Sequence, residues 1–428
     1  MEYTINQREA GWLEVEYQFS PASLQRFHHR LIQHYQQRQV PLPTFDVLQQ
    51  QVHEYAARQA IKHICQQERK TPWEEPEWEI LDSTQGLSLS ISLEVLPEVQ
   101  LGNYKRLQAE VPPVPIPSEA TLMTRLVDQQ YALAELEAVE RPIEMGDRVL
   151  LDLVTLHAGK PVPLASKARL EVMVYPDAFA PGFSEALVGL KAGDSKQIRG
   201  VISPRFQLEA YREQSVSYDV IIHQVFSQNL PPLALLPELM GFESLDALTE
   251  QLYEEQRAEN QEAWLKLIRR HLLLQVAAQS TFTLPETLLE AEMISRWEQQ
   301  EEPELQRQGL SETLQDEALE QWLAEPSLQD EVYQDLACQL VARAIAHAEA
   351  LDVSPIDLLV AVKPFADRFG VAPEILITEM QANNQLGPYS DRLVNEMVLD
   401  FLYERATLTC EGEVLKAPES AEDLALTP

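Results

Sequence analysis

The residues able to do covalent or ligand chemistry are few and scattered along the 428-residue chain. Cys65, Cys338 and Cys410 lie far apart with no CxxC or CxxH spacing, so neither a disulfide framework nor a structural zinc site is encoded. His28, His29, His34, His53 and His63 crowd into one stretch, but no carboxylate or thiolate stands beside them at ligand spacing, and no metal is expected. His157 and His223 are isolated, which leaves no serine, histidine and acid triad to assign. The 14 glycines offer no GxGxxG or GK[ST] spacing, so no nucleotide-driven step and no cofactor are expected. What remains is charge. Between Ser20 and Thr71 seven basic residues, Arg26 and Arg30 among them, face three acidic ones in a chain whose formal charge is −35. Arg26 and Arg30 are four apart, on one face of a helix, where they suit RNA phosphates or an acidic protein, or form a merely solvated face.

The elements that must carry these residues can be traced by period. Proline clusters at VPPVPIP (111–117) and LPPLALLP (230–237) cut the chain into three. In the first part, stripes at Leu24, Phe27, Leu31 and Tyr35 and at Val47, Val52, Tyr55 and Ile61 predict two helices, Ser20 to Gln39 and Thr44 to Arg69. Leu87, Leu89, Ile91, Leu93 and Val95 alternate with polar residues, which predicts a strand with one buried face; Trp12, Val15, Tyr17 and Phe19 offer its partner. Ser118 to Val139 reads as a polar connecting helix with a narrow stripe at Leu122, Leu126, Leu133 and Leu136. Runs at Arg148–Leu156, Ala168–Val174, Lys196–Ile202 and Val216–Phe226 predict a small antiparallel sheet wrapped on a short helix. Six of the glycines fall between Gly146 and Gly200, where its turns must lie. Beyond Pro237 helical periodicity dominates. Thr283 with Glu286 reads as a capping box, and Ser354, Pro355 and Asp357 as a helix start. The tail from Glu411 is acidic and poor in aromatics, so disorder is expected.

A pI near 4.6 argues against a bulk phosphate-tracking surface. The first residues lack the basic end and apolar stretch of a signal peptide, and no apolar run approaches the ~18 residues of a membrane span. Rare cysteine fits a reducing compartment. The expectation is a cytoplasmic protein without a membrane span.

GDRV at 146–149, PGFSEALVGLKAGD at 181–194, FTLPETLLEAEM at 282–293 and LVNEMVLDFLYERA at 393–406, in that order, resemble the bacterial trigger factor family of ribosome-associated folding chaperones. The resemblance implies a multidomain α+β protein. It divides into an α+β head (1–112), a linker and connecting helix (113–144), a small antiparallel-sheet FKBP-like domain (145–228), an all-α C-terminal arm domain (229–410) and a disordered acidic tail (411–428). The family's GFRxGxxP ribosome-docking loop is not kept. The matching place reads His34, Tyr35, Gln36, Gln37, Arg38, Gln39, Val40, Pro41. Tyr35 and Arg38, with Arg26 and Arg30, are then the candidates for contact with the ribosome or another partner.

The resemblance further implies an ATP-independent chaperone for unfolded or nascent polypeptides with a prolyl isomerase domain. That catalysis needs no nucleophile. The X-Pro barrier of about 18–20 kcal/mol falls when a dry apolar pocket favours the twisted amide. Carried over by position, the pocket would be Leu153, Phe179, Ala180, Phe206 and Tyr218. Leu153 and Ala180 are smaller than the family's usual residues, so the pocket is thinned. For client binding, Met293, Trp297, Met380 and Met397 in the helical part offer adaptable apolar contacts. Two alternatives stand beside this function: an active isomerase whose chief role is catalysis, and an assembly factor bound to one stable partner complex and no longer to the ribosome.

Overall fold

The computed structural model describes residues 2–417 except 10, 38–40, 69, 71, 73–75, 177 and 384. The head comprises β1 (Glu2–Glu9), β2 (Trp12–Phe19), α1 (Pro21–Gln37), α2 (Phe45–Glu68), β3 (Glu77–Asp82) and β4 (Leu87–Glu94). Its antiparallel sheet has the order β1-β2-β4-β3. Leu89 and Ile91 of β4 stand opposite Tyr17 and Val15 of β2, and this alternating face is sealed by Phe27 of α1 and by Val52, Ala56, Ala60 and Ile64 of α2. Trp12, expected on that face, points to the other one, and Leu13 takes its place in the core. The period of two admits only one of two neighbours, and the pairing Leu13 to Leu93 selects which.

After β4 the chain crosses to the helical body. Val95 N–H donates to the Gly11 carbonyl at 2.8 Å, and Gln100 and Thr281 exchange a bridge. Gly102 lies so close to Gln279 that a Cβ would sit 2.6 Å from its carbonyl oxygen, so only glycine fits this crossing. β5 (Gln108–Glu110) then joins the body, and α3 (Glu119–Ala132) leads to the middle domain. The expected connecting helix ends early: Glu135–Ala138 forms β6, which pairs with the middle sheet, because exposed leucines there have no helical partner face while a strand edge is at hand.

The middle domain holds β7 (Arg148–His157), β8 (Lys160–Pro161), β9 (Lys167–Met173), α4 (Phe183–Leu187), β10 (Ser195–Val201) and β11 (Ser215–Asn229). Its sheet runs β10-β11-β7-β8, with β6 on β11 and β9 on β7. Alternate residues of β7 and β11, such as Val149, Leu151, Val220 and Ile222, meet Phe183 and Leu187 of the short helix.

The remainder is α5 (Leu236–Met240), α6 (Leu245–Gln279), α7 (Glu286–Gln300), α8 (Glu302–Arg307), α9 (Glu312–Ala324), α10 (Pro326–Glu349), α11 (Pro355–Phe369), α12 (Pro373–Ala382), α13 (Leu386–Arg405), β12 (Thr407–Cys410) and β13 (Glu413–Lys416). The 35-residue α6 is the spine. Its C-terminal half packs on α10 and α13 through Leu272, Val276, Val341, Ile345 and Leu402, with Leu107 and Ala109 contributed from before the linker. Its N-terminal half binds α3 through Leu126, Leu248 and Leu252 and a bidentate Arg125–Glu259 pair.

Two expectations change here. Thr283 does not cap α7: Pro285 is the N-cap, since the chain from Thr281 is held extended by its bridge to Gln100. The tail is ordered to Lys416, where β13 pairs with β12 and Lys416 Nζ donates to the Tyr403 and Glu404 carbonyls; acidic composition did not reveal this hairpin, and residues 418–428 lie outside the described residues. Ser354 and Asp357 do form the reciprocal capping box of α11. Among the described residues no helix is long and apolar enough to cross a membrane.

Candidate functional site

Three surfaces carry the expected residues. In the middle domain, β7 places Leu153 inward, where it is 1% exposed, and the turn before α4 places Phe179 and Ala180 against the sheet. Tyr218 of β11 occupies the space between them. Its ring centroid lies 5.6 Å from Phe179 and 5.5 Å from Phe183. Its hydroxyl donates to the Val201 carbonyl at 3.2 Å, and Gly200 gives it room, a Cβ there being 2.4 Å from the ring. Burial pushes the Tyr218 phenol above its ordinary value. Leu153, Ala180 and Tyr218 are thus core, while Phe179 alone of this group stays well exposed. Phe206 is shared, packing both on the middle-domain core and on the helical arm beside Leu208, Tyr211 and the α7–α9 cluster.

Asp152, beside Leu153 in sequence, points to the opposite sheet face. Its Oδ1 accepts the Arg169 N–H at 2.8 Å and its Oδ2 meets His223 Nε2 at 2.7 Å. His223 is the extra residue of a β-bulge in β11, which is what aims it at the carboxylate. This pair braces the sheet. Isolated in sequence, His223 gave no sign of it.

On the head, Arg26 and Arg30 are exposed on α1, and neither forms an ion pair with a carboxylate among the described residues. Arg26 donates only to Ser23 Oγ, at 3.2 Å. Tyr35 is half-buried and bridges α1 to α2 by its hydroxyl, which donates to Gln51 Oε1 at 2.9 Å. It therefore shapes the helix pair more than it displays itself. Arg38 lies outside the described residues. Burial lowers the pKa of His53. Among the described residues no group of three or more histidine, cysteine or acidic side chains is placed to hold a metal.

In the arm domain, Met293 and Trp297 are 1% and 4% exposed and are corrected from client contacts to core. Trp322 Nε1 donates to the Met293 carbonyl at 2.9 Å and packs edge-on to Trp297 at 5.8 Å. A stripe of large residues at helical spacing is buried wherever a second helix can cover it, as α9 does here. Met380 and Met397 are half-buried on α12 and α13. Two features were missed by sequence. A groove of about 450 Å³ between α7, α10 and α13 is lined by leucines such as Leu288, Leu336 and Leu340, by the amides of Gln339 and Asn395, and by the charged Glu292, Arg343, Asp391 and Arg392. Then α11 and α12 leave Ile356 71%, Val360 66%, Phe369 71% and Ile375 53% exposed. The signal was present in α11, whose PIDLLVAVKPFADRF has apolar residues on more than the one face a partner can cover.

Comparison with known proteins places this geometry. A family model described as "Bacterial trigger factor protein (TF) C-terminus" matches residues 244–404, and one described as "Bacterial trigger factor protein (TF)" matches residues 42–128. The trigger factor of Azorhizobium caulinodans is 28% identical over 337 residues, covering 77% of this chain and 73% of that protein. The trigger factor of Xanthobacter autotrophicus is 26% identical over 396 residues, covering 89% and 86%. A solved structure titled "Promiscuous Substrate Recognition in Folding and Assembly Activities of the Trigger Factor Chaperone" aligns over 95% of this chain and 100% of that one at 21% identity, with a TM-score of 0.42.

Proposed function

This chain belongs to the bacterial trigger factor family, and we propose that it is an ATP-independent, cytoplasmic folding chaperone that holds unfolded or newly made polypeptide on its helical arms. The observation that carries the proposal is the apolar surface that α11 and α12 leave open. Apolar surface binds many unfolded segments weakly, and a net charge of −35 keeps the holder soluble while the patch stays exposed. The test is dilution of a denatured, unrelated enzyme into the chain without nucleotide, read by light scattering. Aggregation should be suppressed, and V360D together with F369D should weaken client affinity about tenfold, as expected when two large apolar contacts are lost. Equal aggregation with and without the chain would overturn it.

The middle domain is proposed to bind or space rather than to turn over proline peptides. Supporting this are the small Leu153 and Ala180 and the burial of Tyr218, whose ring packs on Phe179 and Phe183.

The altered loop at His34 to Pro41 favours a second reading, an assembly factor for one partner complex. Co-sedimentation with ribosomes separates the two. Salt-labile pelleting that R26E with R30E abolishes fits docking by a new basic surface on α1. Retention in the supernatant with one stoichiometric protein fits the assembly factor.

A further inference from the structure

The middle domain meets the arm through residues of two of its connecting segments. Phe206, Leu208 and Tyr211, between β10 and β11, and Leu164, between β8 and β9, pack on the cluster around Trp297, Leu305 and Trp322. Leu208 is 3% exposed there. Two backbone donors end on arm carboxylates: Leu164 N–H on Glu301 Oε2 at 3.1 Å and Ala168 N–H on Glu304 Oε2 at 2.8 Å. Glu301 is 1% exposed, and its Oε1 accepts no hydrogen bond. Phe206 and Tyr211 also pack on the middle core, whereas Leu164 and Leu208 belong to the arm cluster alone.

We infer that this contact is a proton-sensitive latch in which Leu164 and the Ser203–Tyr211 segment are held on the arm more tightly as the medium turns acidic. Its physical basis is the cost of keeping a carboxylate ionised with one hydrogen bond in a dry contact. Burial pushes Glu301 up to about 7; Glu304 on α8 adds to the rise, and Lys167 on β9 and the Leu164 N–H oppose it. The other titratable groups on the packed elements include Lys160 on β8, Glu302 and Arg307 on α8 and Tyr211, whose phenol burial raises.

The sign follows from linkage. Released, the carboxyl returns toward its ordinary 4.5, so the docked form binds more protons at pH values between 4.5 and about 7. Docking strengthens as pH falls through that window and weakens as pH rises through about 7, and the change between pH 8 and pH 6 is about tenfold.

The experiment is amide hydrogen exchange on the full chain, corrected for intrinsic rates, at pH 6, 7 and 8. Protection of 161–169 and 203–212 should rise about tenfold from pH 8 to pH 6 while 336–346 stays constant. E301Q should abolish that slope. L208S should strip protection from both segments at every pH, and it serves as the second variant if E301Q loses protection in 336–346. Equal wild-type protection at pH 6 and pH 8, or a slope kept by E301Q, would overturn the latch.

Discussion

The middle domain and the α11–α12 hairpin are both rich in large apolar residues and use them in opposite ways. Phe183 and Tyr218 are 1% and 5% exposed, closed in by the sheet on one side and each other on the other. Ile356, Val360 and Phe369 stand in solvent, because α12 covers only the face of α11 that carries Val362 and Ala366. The difference lies in the number of layers. A sheet closing on a helix buries both inner faces, whereas two short helices side by side bury one stripe each and leave the rest open. The surface proposed to hold clients is therefore what the fold leaves uncovered, and the aromatics that resemble a catalytic pocket are what it has largely sealed.

The largest expected effect comes from breaking the sealed side. F183A should cost the middle domain about 3–5 kcal/mol in urea unfolding. A cost below about 1 kcal/mol would mean that the aromatics are a loose pocket after all. G200A tests the same seal with a smaller change: the new Cβ meets the Tyr218 ring at 2.4 Å, so a loss of about 1–3 kcal/mol is expected. A neutral result would show that Tyr218 can swing aside. On the open side, S354A removes the hydrogen bond from the Asp357 N–H, 3.2 Å long, and should cost α11 about 1 kcal/mol. Exchange over 356–369 should then quicken about fivefold with client holding retained, since no exposed apolar residue is touched. If holding collapses instead, the hairpin's order matters more than its apolar surface.

Much of the fold was legible because it is written in local period. The alternation from Leu87 to Val95 marked β4, the glycine-dense span from Gly146 to Gly200 marked the turns of the middle sheet, and Ser354 with Asp357 marked the start of α11. The errors cluster where a distant partner decides. Trp12 lost its place to Leu13 through pairing with β4, Thr283 lost its capping role to a bridge with Gln100, and β13 formed because β12 lay beside it. Among the expected site residues Arg26, Arg30 and Phe179 proved exposed. Met293 and Trp297 were misassigned because a helical stripe says that a face is apolar without saying what covers it.

By itself the sequence determined most of the helices and strands, since their periods depend on residues within a few positions of one another. Only the tertiary structure decided which apolar faces are shut and which remain open. It alone set Glu301 against Leu164, joined His223 to Asp152 and brought Phe206 against the arm. Each of these joins residues far apart along the chain, and burial and pairing at that range follow from how layers stack, which no local pattern encodes.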